Sequence, residues 1–157
     1  MSPVTSAELL AGFPPFDRLT AEHRAAVALT ARLVAFPAGS ILFAEGEPAA
    51  GCWLIKTGHV GLGTEVPGRG QVVVQTLGPG DVLGWSWLVP PHVWQFTATA
   101  MTYVTAVELD TAELRALAES DPALGYPLAL TLFEVVVARL QNTRSRLLDL
   151  YGNPRER

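Results

Sequence analysis

The chain has 157 residues, of which 49% are hydrophobic and 17% are charged, and its formal net charge is −4 at pH 7. This length suits one domain with a sizeable core, and the composition excludes a disordered chain. The acidic balance argues against a general attraction to nucleic acids or anionic membranes. Cys52 is the single cysteine, which excludes an internal disulfide and a cysteine-rich metal motif and is typical of a reducing compartment.

The first residues carry no basic region followed by an apolar run, which a secretory signal would need. Charges or prolines interrupt the longest apolar runs well short of the ~20 residues that a membrane span requires. We therefore expect a cytoplasmic chain that makes no contact with a membrane.

Residues 5–33 are predicted to be helical. The segment T-S-A-E-L-L-A at 5–11 predicts a short turn, which the following G-F-P-P ends. A second helix follows, with Thr20 as its N-cap, Glu22 in its first turn and Val27 on its apolar face.

Residues 34–109 have the pattern of a β-protein. Short runs of β-branched and aromatic residues alternate with glycine and proline, at the spacing of about 8–12 residues that is typical of sandwiches and barrels. The segment V-P-G-R-G at 66–70 predicts a hairpin turn. We count about eight strands in this region.

Residues 110–151 are predicted to form two helices. The first is short, with Asp110 or Thr111 as its N-cap and Glu113 in its first turn. The second is long, runs from Leu128 to about Tyr151, and ends at glycine and proline.

The long helix has two apolar faces. One face contains Leu128, Leu132, Val135 and Val136. The other is a seam of positions spaced alternately three and four apart, as in a coiled coil; it consists of Leu130, Phe133, Val137, Leu140, Arg144, Leu147 and Tyr151. The roll can cover one face and a second copy of the helix the other, so we expect a homodimer. The alternative is a single helix buried on a large barrel.

The segment L-G-W-S-W-L-V-P-P-H-V-W-Q-F-T-A at 83–98 gathers three tryptophans and a phenylalanine without any formal charge. We take it as the candidate ligand-binding region. Its candidate residues are Gly84, Trp85, Ser86, Trp87, His92, Trp94, Phe96, Thr97 and Ala98.

Several segments together resemble the cyclic nucleotide-binding domain of the Crp/Fnr regulators. F-P-A-G-S-I-L-F-A-E-G-E-P-A-A-G-C-W-L-I-K-T-G-H-V at 36–60 is similar to the opening strands of that family, and L-G-P-G-D-V-L-G at 77–84 to the strand that enters its phosphate-binding cassette. Thr97-Ala98 matches the end of the cassette. The resemblance covers roughly residues 13–151. It implies one domain over residues 1–157, an eight-stranded jelly roll (double-stranded β-helix) with N-terminal helices and a long dimerisation-type C-terminal helix.

The cassette departs from the family pattern at both polar anchors. In the family it begins Gly-Glu and ends Arg-(Ser/Thr)-Ala; the glutamate binds the ribose 2′-hydroxyl and the arginine pairs with the cyclic phosphate. Here Trp85 follows Gly84, and Phe96 precedes Thr97-Ala98. There is no lysine or arginine between Arg69 and Arg115, whereas a buried phosphate needs charge-assisted donors. We therefore predict no useful binding of cAMP or cGMP.

The role of the aromatic residues stays open at this point. Trp85, Trp87, Trp94 and Phe96 either fill the cavity that a nucleotide would occupy or line a pocket for an apolar or aromatic ligand, which Ser86, Gln95, Thr97 and Thr99 would orient. An exposed aromatic patch that docks another protein is a third reading. Haem, with His92 as its axial ligand, is a fourth. We otherwise expect no cofactor and no metal.

No H-x-H, G-x-S-x-G, Walker A or C-x-x-C pattern occurs, so we expect no catalytic residue and no enzyme activity. Too few residues follow Tyr151 for a recognition helix, so we expect no direct sequence-specific DNA binding. The arginines of the last twenty residues are interpreted as a solvated face; they are Arg139, Arg144, Arg146, Arg155 and Arg157.

We therefore expect a non-enzymatic regulatory or sensor module that passes its signal to a separate effector protein. By fold analogy, an occupied pocket would shift the two C-terminal helices. The competing hypotheses are a structural scaffold with a filled pocket and a cyclic nucleotide-binding regulator with non-standard anchors.

Overall fold

The structure, a computed structural model, describes residue 10 and residues 13–152. A 3-10 helix at Pro14–Arg18 and helix α1 at Ala21–Ala28 come first, and helices α2 at Thr111–Ser120 and α3 at Pro122–Gly152 come last. The described part between them contains eight strands: β1 (Ala31–Phe36), β2 (Ile41–Phe43), β3 (Cys52–Thr57), β4 (Val60–Val66), β5 (Gly70–Leu77), β6 (Val82–Leu83), β7 (Thr97–Ala100) and β8 (Val104–Leu109).

The strands form two antiparallel sheets of four strands each. Hydrogen-bonded neighbours follow the order β1-β8-β3-β6 in one sheet and β2-β7-β4-β5 in the other. The turn between β4 and β5 is closed by the Arg69 N–H, which donates to the Val66 carbonyl at 2.9 Å, so the predicted hairpin is confirmed. The predicted fold class, an eight-stranded roll flanked by helices, is also confirmed.

Two of the predicted helix caps are confirmed. The Thr20 hydroxyl accepts a hydrogen bond from the His23 N–H at 3.1 Å, and a carboxylate oxygen of Asp110 accepts one from the Glu113 N–H at 3.1 Å. Each cap satisfies a backbone donor that has no partner inside its helix. These local contacts determine where α1 and α2 begin.

The predicted end of the N-terminal helical region is wrong. Helix α1 ends at Ala28, and β1 begins at Ala31, inside the range 5–33 that was predicted to be helical. Ala31 pairs with Leu109, the last residue of β8, which is distant in the chain. This long-range pairing outweighs the local helical preference. The predicted turn at 5–11 lies outside the described residues, apart from residue 10.

The predicted start of the long helix is also wrong, because α3 begins at Pro122 rather than at Leu128. Proline is well tolerated in the first turn of a helix, and the Asp121 carboxylate accepts from the Ala123 N–H at 3.1 Å. Pro127 lies inside the helix. The first turns pack tightly on α2, since a Cβ added at Gly125 would lie 2.5 Å from the Ala118 carbonyl oxygen.

The core has two layers, which the alternation of side chains in β3 separates. Trp53 and Ile55 point into the roll, where they join a cluster from both sheets. Cys52 and Leu54 belong to the cluster on the outer face of the β1-β8-β3-β6 sheet, which the helices cover. Period-two alternation requires this division once the strand is buried on both faces.

Helix α3 covers this outer layer with one stripe and leaves another exposed. Leu124, Leu128 and Leu132 are buried, whereas Leu140 of the predicted seam is 67% exposed and Tyr151 is 74% exposed. By length and composition α3 is apolar enough to cross a membrane. This is weak evidence for a span, because a helix that packs on a core passes the same test.

Candidate ligand pocket

The aromatic loop at 84–96 lies between β6 and β7 and is bound to the segment that follows β2. The Gly46 N–H donates to the Trp94 carbonyl at 2.9 Å, the Trp94 N–H to the Glu47 carbonyl at 2.9 Å, and the Ala49 N–H to the His92 carbonyl at 2.8 Å. These three backbone bonds fix the end of the loop against the roll. They place the Trp94 side chain inside it.

Three aromatic rings occupy the interior of the roll beneath this loop. Phe43 stacks on Trp94 with ring centroids 3.8 Å apart, and Trp53 stacks on Phe43 at 5.7 Å. Trp94 is only 4% exposed. The cavity that remains beside the rings has a volume of about 20 Å³, which is room for one water molecule at most.

Two glycines make this packing sterically feasible. A Cβ added at Gly51 would lie 2.4 Å from the Trp53 ring, and a Cβ added at Gly84 would lie 2.9 Å from the Gly51 carbonyl oxygen and 3.1 Å from the Trp94 ring. Both glycines have a positive φ, +124° at Gly51 and +96° at Gly84, a backbone conformation that residues other than glycine rarely adopt. Gly51 and Gly84 are therefore required here both by their backbone conformation and by the aromatic rings beside them.

Polar contacts orient Trp53 at the end of the stack. Its indole N–H donates to one carboxylate oxygen of Glu108 at 2.8 Å, and the other oxygen accepts from Arg32 Nε at 2.9 Å. The three residues lie side by side on neighbouring strands. A buried indole N–H needs such a partner, and the bond fixes the plane in which the ring lies.

The structure brings together some of the candidate residues and separates others. Those that line the residual cavity are Gly84, Trp85, Ser86, Trp94 and Phe96. Trp87 does not fill this cavity, contrary to expectation; it packs in the helix-covered cluster, and its indole N–H donates to the Gly84 carbonyl at 3.1 Å. Trp87 therefore packs with the hydrophobic side chains beneath the helices, on the opposite side of the sheet from Trp94.

None of the last three candidate residues, His92, Thr97 and Ala98, lines the residual cavity. His92 has a positive φ of 56°. The Thr97 hydroxyl accepts from the Glu45 N–H at 3.0 Å, and Ala98 is fully buried between the sheets. The residual cavity is far too small for a haem group.

A cation that the sequence analysis missed lies beside the cavity. Arg139 of α3 lines it, and its guanidinium donates to the Val82 carbonyl. Burial lowers the pKa of Arg139, while the Asp81 carboxylate and Cys52 oppose this effect. Neither Arg69 nor Arg115 lines the cavity.

The assignment of Arg139 to a solvated face is therefore wrong. The signal that identifies it was present: Leu128, Leu132, Val135 and Arg139 follow one another at intervals of four, three and four. Arg139 thus continues the helix face that packs on the roll.

Cys52 predicts a measurable dependence of stability on pH. Burial raises the pKa of its thiol to about 12, although contacts with Trp87 and Arg139 lower it in part. The unfolded thiol ionises near pH ~8.5, so the thiol stabilises the fold below that pH and this contribution is lost as the pH rises towards 12. Between pH 8 and 10.5, the free energy of unfolding should fall more steeply in the native protein than in Cys52→Ala, by up to ~1.4 kcal/mol per pH unit. The free energy of unfolding is measured by urea denaturation at each pH. If it changed equally with pH in the two proteins, the prediction would be wrong.

Two four-stranded antiparallel sheets form the roll, a loop between β6 and β7 covers its interior, and a long C-terminal helix packs against that loop. The protein is therefore a jelly roll flanked by helices. The family model for the cyclic nucleotide-binding domain matches residues 33–121, and the chain belongs to this family.

Known proteins support the same assignment. A CRP-like cAMP-activated global transcriptional regulator of Mycobacterium tuberculosis is 34% identical over 131 residues, which are 82% of this chain and 57% of the regulator. The chain thus spans little more than half the length of this curated relative. A structure described as a cyclic nucleotide-binding protein of Geobacter metallireducens has a TM-score of 0.79 at 31% identity, covering 87% of this chain and 99% of that one. A cyclic nucleotide-binding domain from Methylobacillus flagellatus shares the fold, with a TM-score of 0.75 at 18% identity over 94% and 96% of the two chains.

Proposed function

We propose that this chain is a nucleotide-independent member of its family, a non-enzymatic regulatory module whose cassette is closed by its own aromatic side chains. The stack of Trp94 on Phe43 carries this proposal, because it occupies the interior of the roll beneath the loop. Gly84, Trp85, Phe96 and the other cassette residues then form a packed structure rather than a ligand site.

The interior of the roll has no room for a nucleotide. Pockets for small ligands are typically about 300–1,000 Å³, whereas the cavity beside the stack measures about 20 Å³. A cyclic nucleotide can enter only if Trp94 leaves the core. That movement would remove a large aromatic surface from its stacking partner and from the apolar interior.

The residual cavity also lacks a free counter-charge for a phosphate. Arg139 is the one arginine or lysine that lines the residual cavity among the described residues, and it is already bound to the Val82 carbonyl and influenced by Asp81. Trp85 and Phe96 occupy the positions that match the family's glutamate and arginine. A cyclic phosphate in this cavity would meet aromatic rings and one engaged guanidinium, and a poorly paired buried charge is costly.

We further propose that the module is cytoplasmic and acts through its surface. The exposed seam of α3 is suited to a second copy of the chain, and a separate effector protein would receive the signal. The names of its Mycobacterium relatives, which are transcriptional regulators, favour a regulatory role. We do not propose a haem-based mechanism, because His92 lies outside the cavity.

Isothermal titration tests the nucleotide proposal. Neither cAMP nor cGMP should bind the native protein more tightly than about 1 mM, because the cassette has neither room nor a free counter-charge. Micromolar affinity for either nucleotide would overturn the proposal.

A matched variant tests the physical reason. The triple variant Trp85→Glu, Phe96→Arg and Trp94→Ala restores both polar anchors and empties the cavity, and it should gain affinity for cAMP. The single variant Trp94→Ala serves as its control, since it opens space without adding the anchors.

A further inference from the structure

A polar pocket lies outside the roll, between α3 and the segment that runs from the end of β5 to β6. Its volume is about 220 Å³, which is below the range of pockets for drug-sized molecules. Arg139, Asn142 and Arg146 line it from α3, and Gln75 and Thr76 line it from β5. We name this space the arginine pocket.

The polar side chains on the helix wall follow the period of the helix. Arg139, Asn142 and Arg146 are spaced three and four residues apart, so they lie on one face of α3. Each arginine donates to a backbone carbonyl of a strand: Arg139 to Val82 of β6, and Arg146 to Val74 of β5 at 3.0 Å. These bonds hold both guanidinium groups at the arginine pocket.

Neither guanidinium group forms an ion pair with a carboxylate of the described residues, whereas Arg18 and Arg32 both do. A guanidinium group has five N–H donors, and each of the two in the pocket uses one of them in a hydrogen bond to a described residue. The side-chain amides of Gln75 and Asn142 line the same pocket and donate to none of the described residues. The arginine pocket therefore contains two cations and a surplus of hydrogen-bond donors.

We propose that the arginine pocket binds inorganic phosphate. Two guanidinium groups without ion-pair partners favour a small oxyanion, because their planar sets of N–H donors match its oxygens. The Asp81 carboxylate also lines the pocket, and it discriminates between oxyanions. One of its oxygens accepts from the Gly78 N–H at 2.8 Å, and the other can accept from a protonated oxygen of the ligand. Phosphate keeps such a proton at neutral pH, whereas sulfate has none and would be repelled by the carboxylate.

The arginine pocket lies outside the closed cassette, so this inference goes beyond the proposed loss of nucleotide binding. Arg139 lines both the residual cavity and the arginine pocket, but Asn142 and Arg146 line only the latter. The residual cavity therefore offers an anion one guanidinium group, and the arginine pocket offers two. Substitutions at Asn142 and Arg146 test the arginine pocket without changing a residue of the cassette.

Isothermal titration with inorganic phosphate and with sulfate, at neutral pH and constant ionic strength, tests the proposal. The native protein should bind one equivalent of phosphate per chain with a Kd below about 1 mM, and sulfate at least ~10-fold more weakly. In Asp81→Asn the repulsion of sulfate is removed, and the side-chain oxygen can still accept from the Gly78 N–H. The two anions should therefore bind this variant with similar affinity.

Asn142→Asp adds a negative charge to the arginine pocket without changing the size of the side chain. Asn142 is exposed, so the fold should be unaffected, and the affinity for phosphate should fall at least ~10-fold. Gln141→Glu is the matched control, because Gln141 is the exposed neighbour on α3 and does not line the pocket. It adds the same charge and should keep nearly the native affinity. Arg146→Gln, which removes one of the two cations, should also lower the affinity at least ~10-fold.

Three results would overturn the proposal. A Kd of the native protein for phosphate above about 1 mM would show that the pocket is not a phosphate site. Equal phosphate affinity of the native protein and Asn142→Asp would show that phosphate binds elsewhere. Equal affinity of the native protein for phosphate and sulfate would show that Asp81 does not select the protonated anion. The titrations with cAMP and cGMP test the closed cassette separately.

Discussion

Replacing Trp94 by alanine should lower the free energy of unfolding by about 3–5 kcal/mol. Trp94 is 4% exposed and stacks on Phe43 at 3.8 Å, so its removal empties the centre of the roll and deprives Phe43 of its partner. Gly84 and Gly51 pack closely around the rings, which limits how far the backbone can collapse into the void. Urea denaturation of both proteins measures the difference.

Trp85→Ala is the control for this prediction. Trp85 lies in the same loop but is only half-buried, so its removal should cost clearly less than that of Trp94. Indole added to Trp94→Ala should restore part of the lost stability, since dry apolar cavities bind apolar ligands of matching size. A cost below about 1 kcal/mol for Trp94→Ala would show that the stack does not support the roll.

The double variant Leu140→Glu and Leu147→Glu should convert the proposed homodimer into a monomer. Both leucines are exposed on the seam of α3, so the substitutions leave the core of each chain intact. In a two-fold symmetric interface each substitution occurs twice, and four carboxylates would be placed among apolar side chains without partners. Light scattering after size-exclusion chromatography should report the mass of one chain.

Ile41→Glu is the matched control for the seam. Ile41 is an exposed apolar residue on β2, and its substitution should leave the dimer mass unchanged. Unchanged circular dichroism of the double variant would show that α3 still folds. A native protein that is monomeric at high micromolar concentration would contradict the homodimer prediction itself.

The loop between β6 and β7 covers the interior of the roll, and aromatic rings close that interior down to a cavity of about 20 Å³. The surface between the loop and α3, in contrast, holds a larger cavity.

Local sequence patterns predicted much of the fold correctly. The caps at Thr20 and Asp110, the hairpin at 66–70 and the eight strands all depend on contacts between residues close in the chain or on simple periodicity. The boundaries at Ala31 and Pro122 were missed for the opposite reason. β1 is extended because it pairs with β8, and the first turns of α3 pack against α2. Both boundaries therefore depend on contacts with another element, which local sequence patterns do not reveal.

At the candidate site, too, local sequence predicted some features and only the tertiary structure decided the others. The sequence alone predicted that Trp85 and Phe96 stand where the family's glutamate and arginine would, because the motif is local. Only the tertiary structure decided that Phe43 and Trp53 complete the stack with Trp94, that Trp87 lies on the other side of the sheet, and that Arg139 reaches the cavity from α3. The face on which a strand residue lies, and which distant side chain meets it, depend on sheet pairing and helix docking, and these are set by contacts across the whole chain.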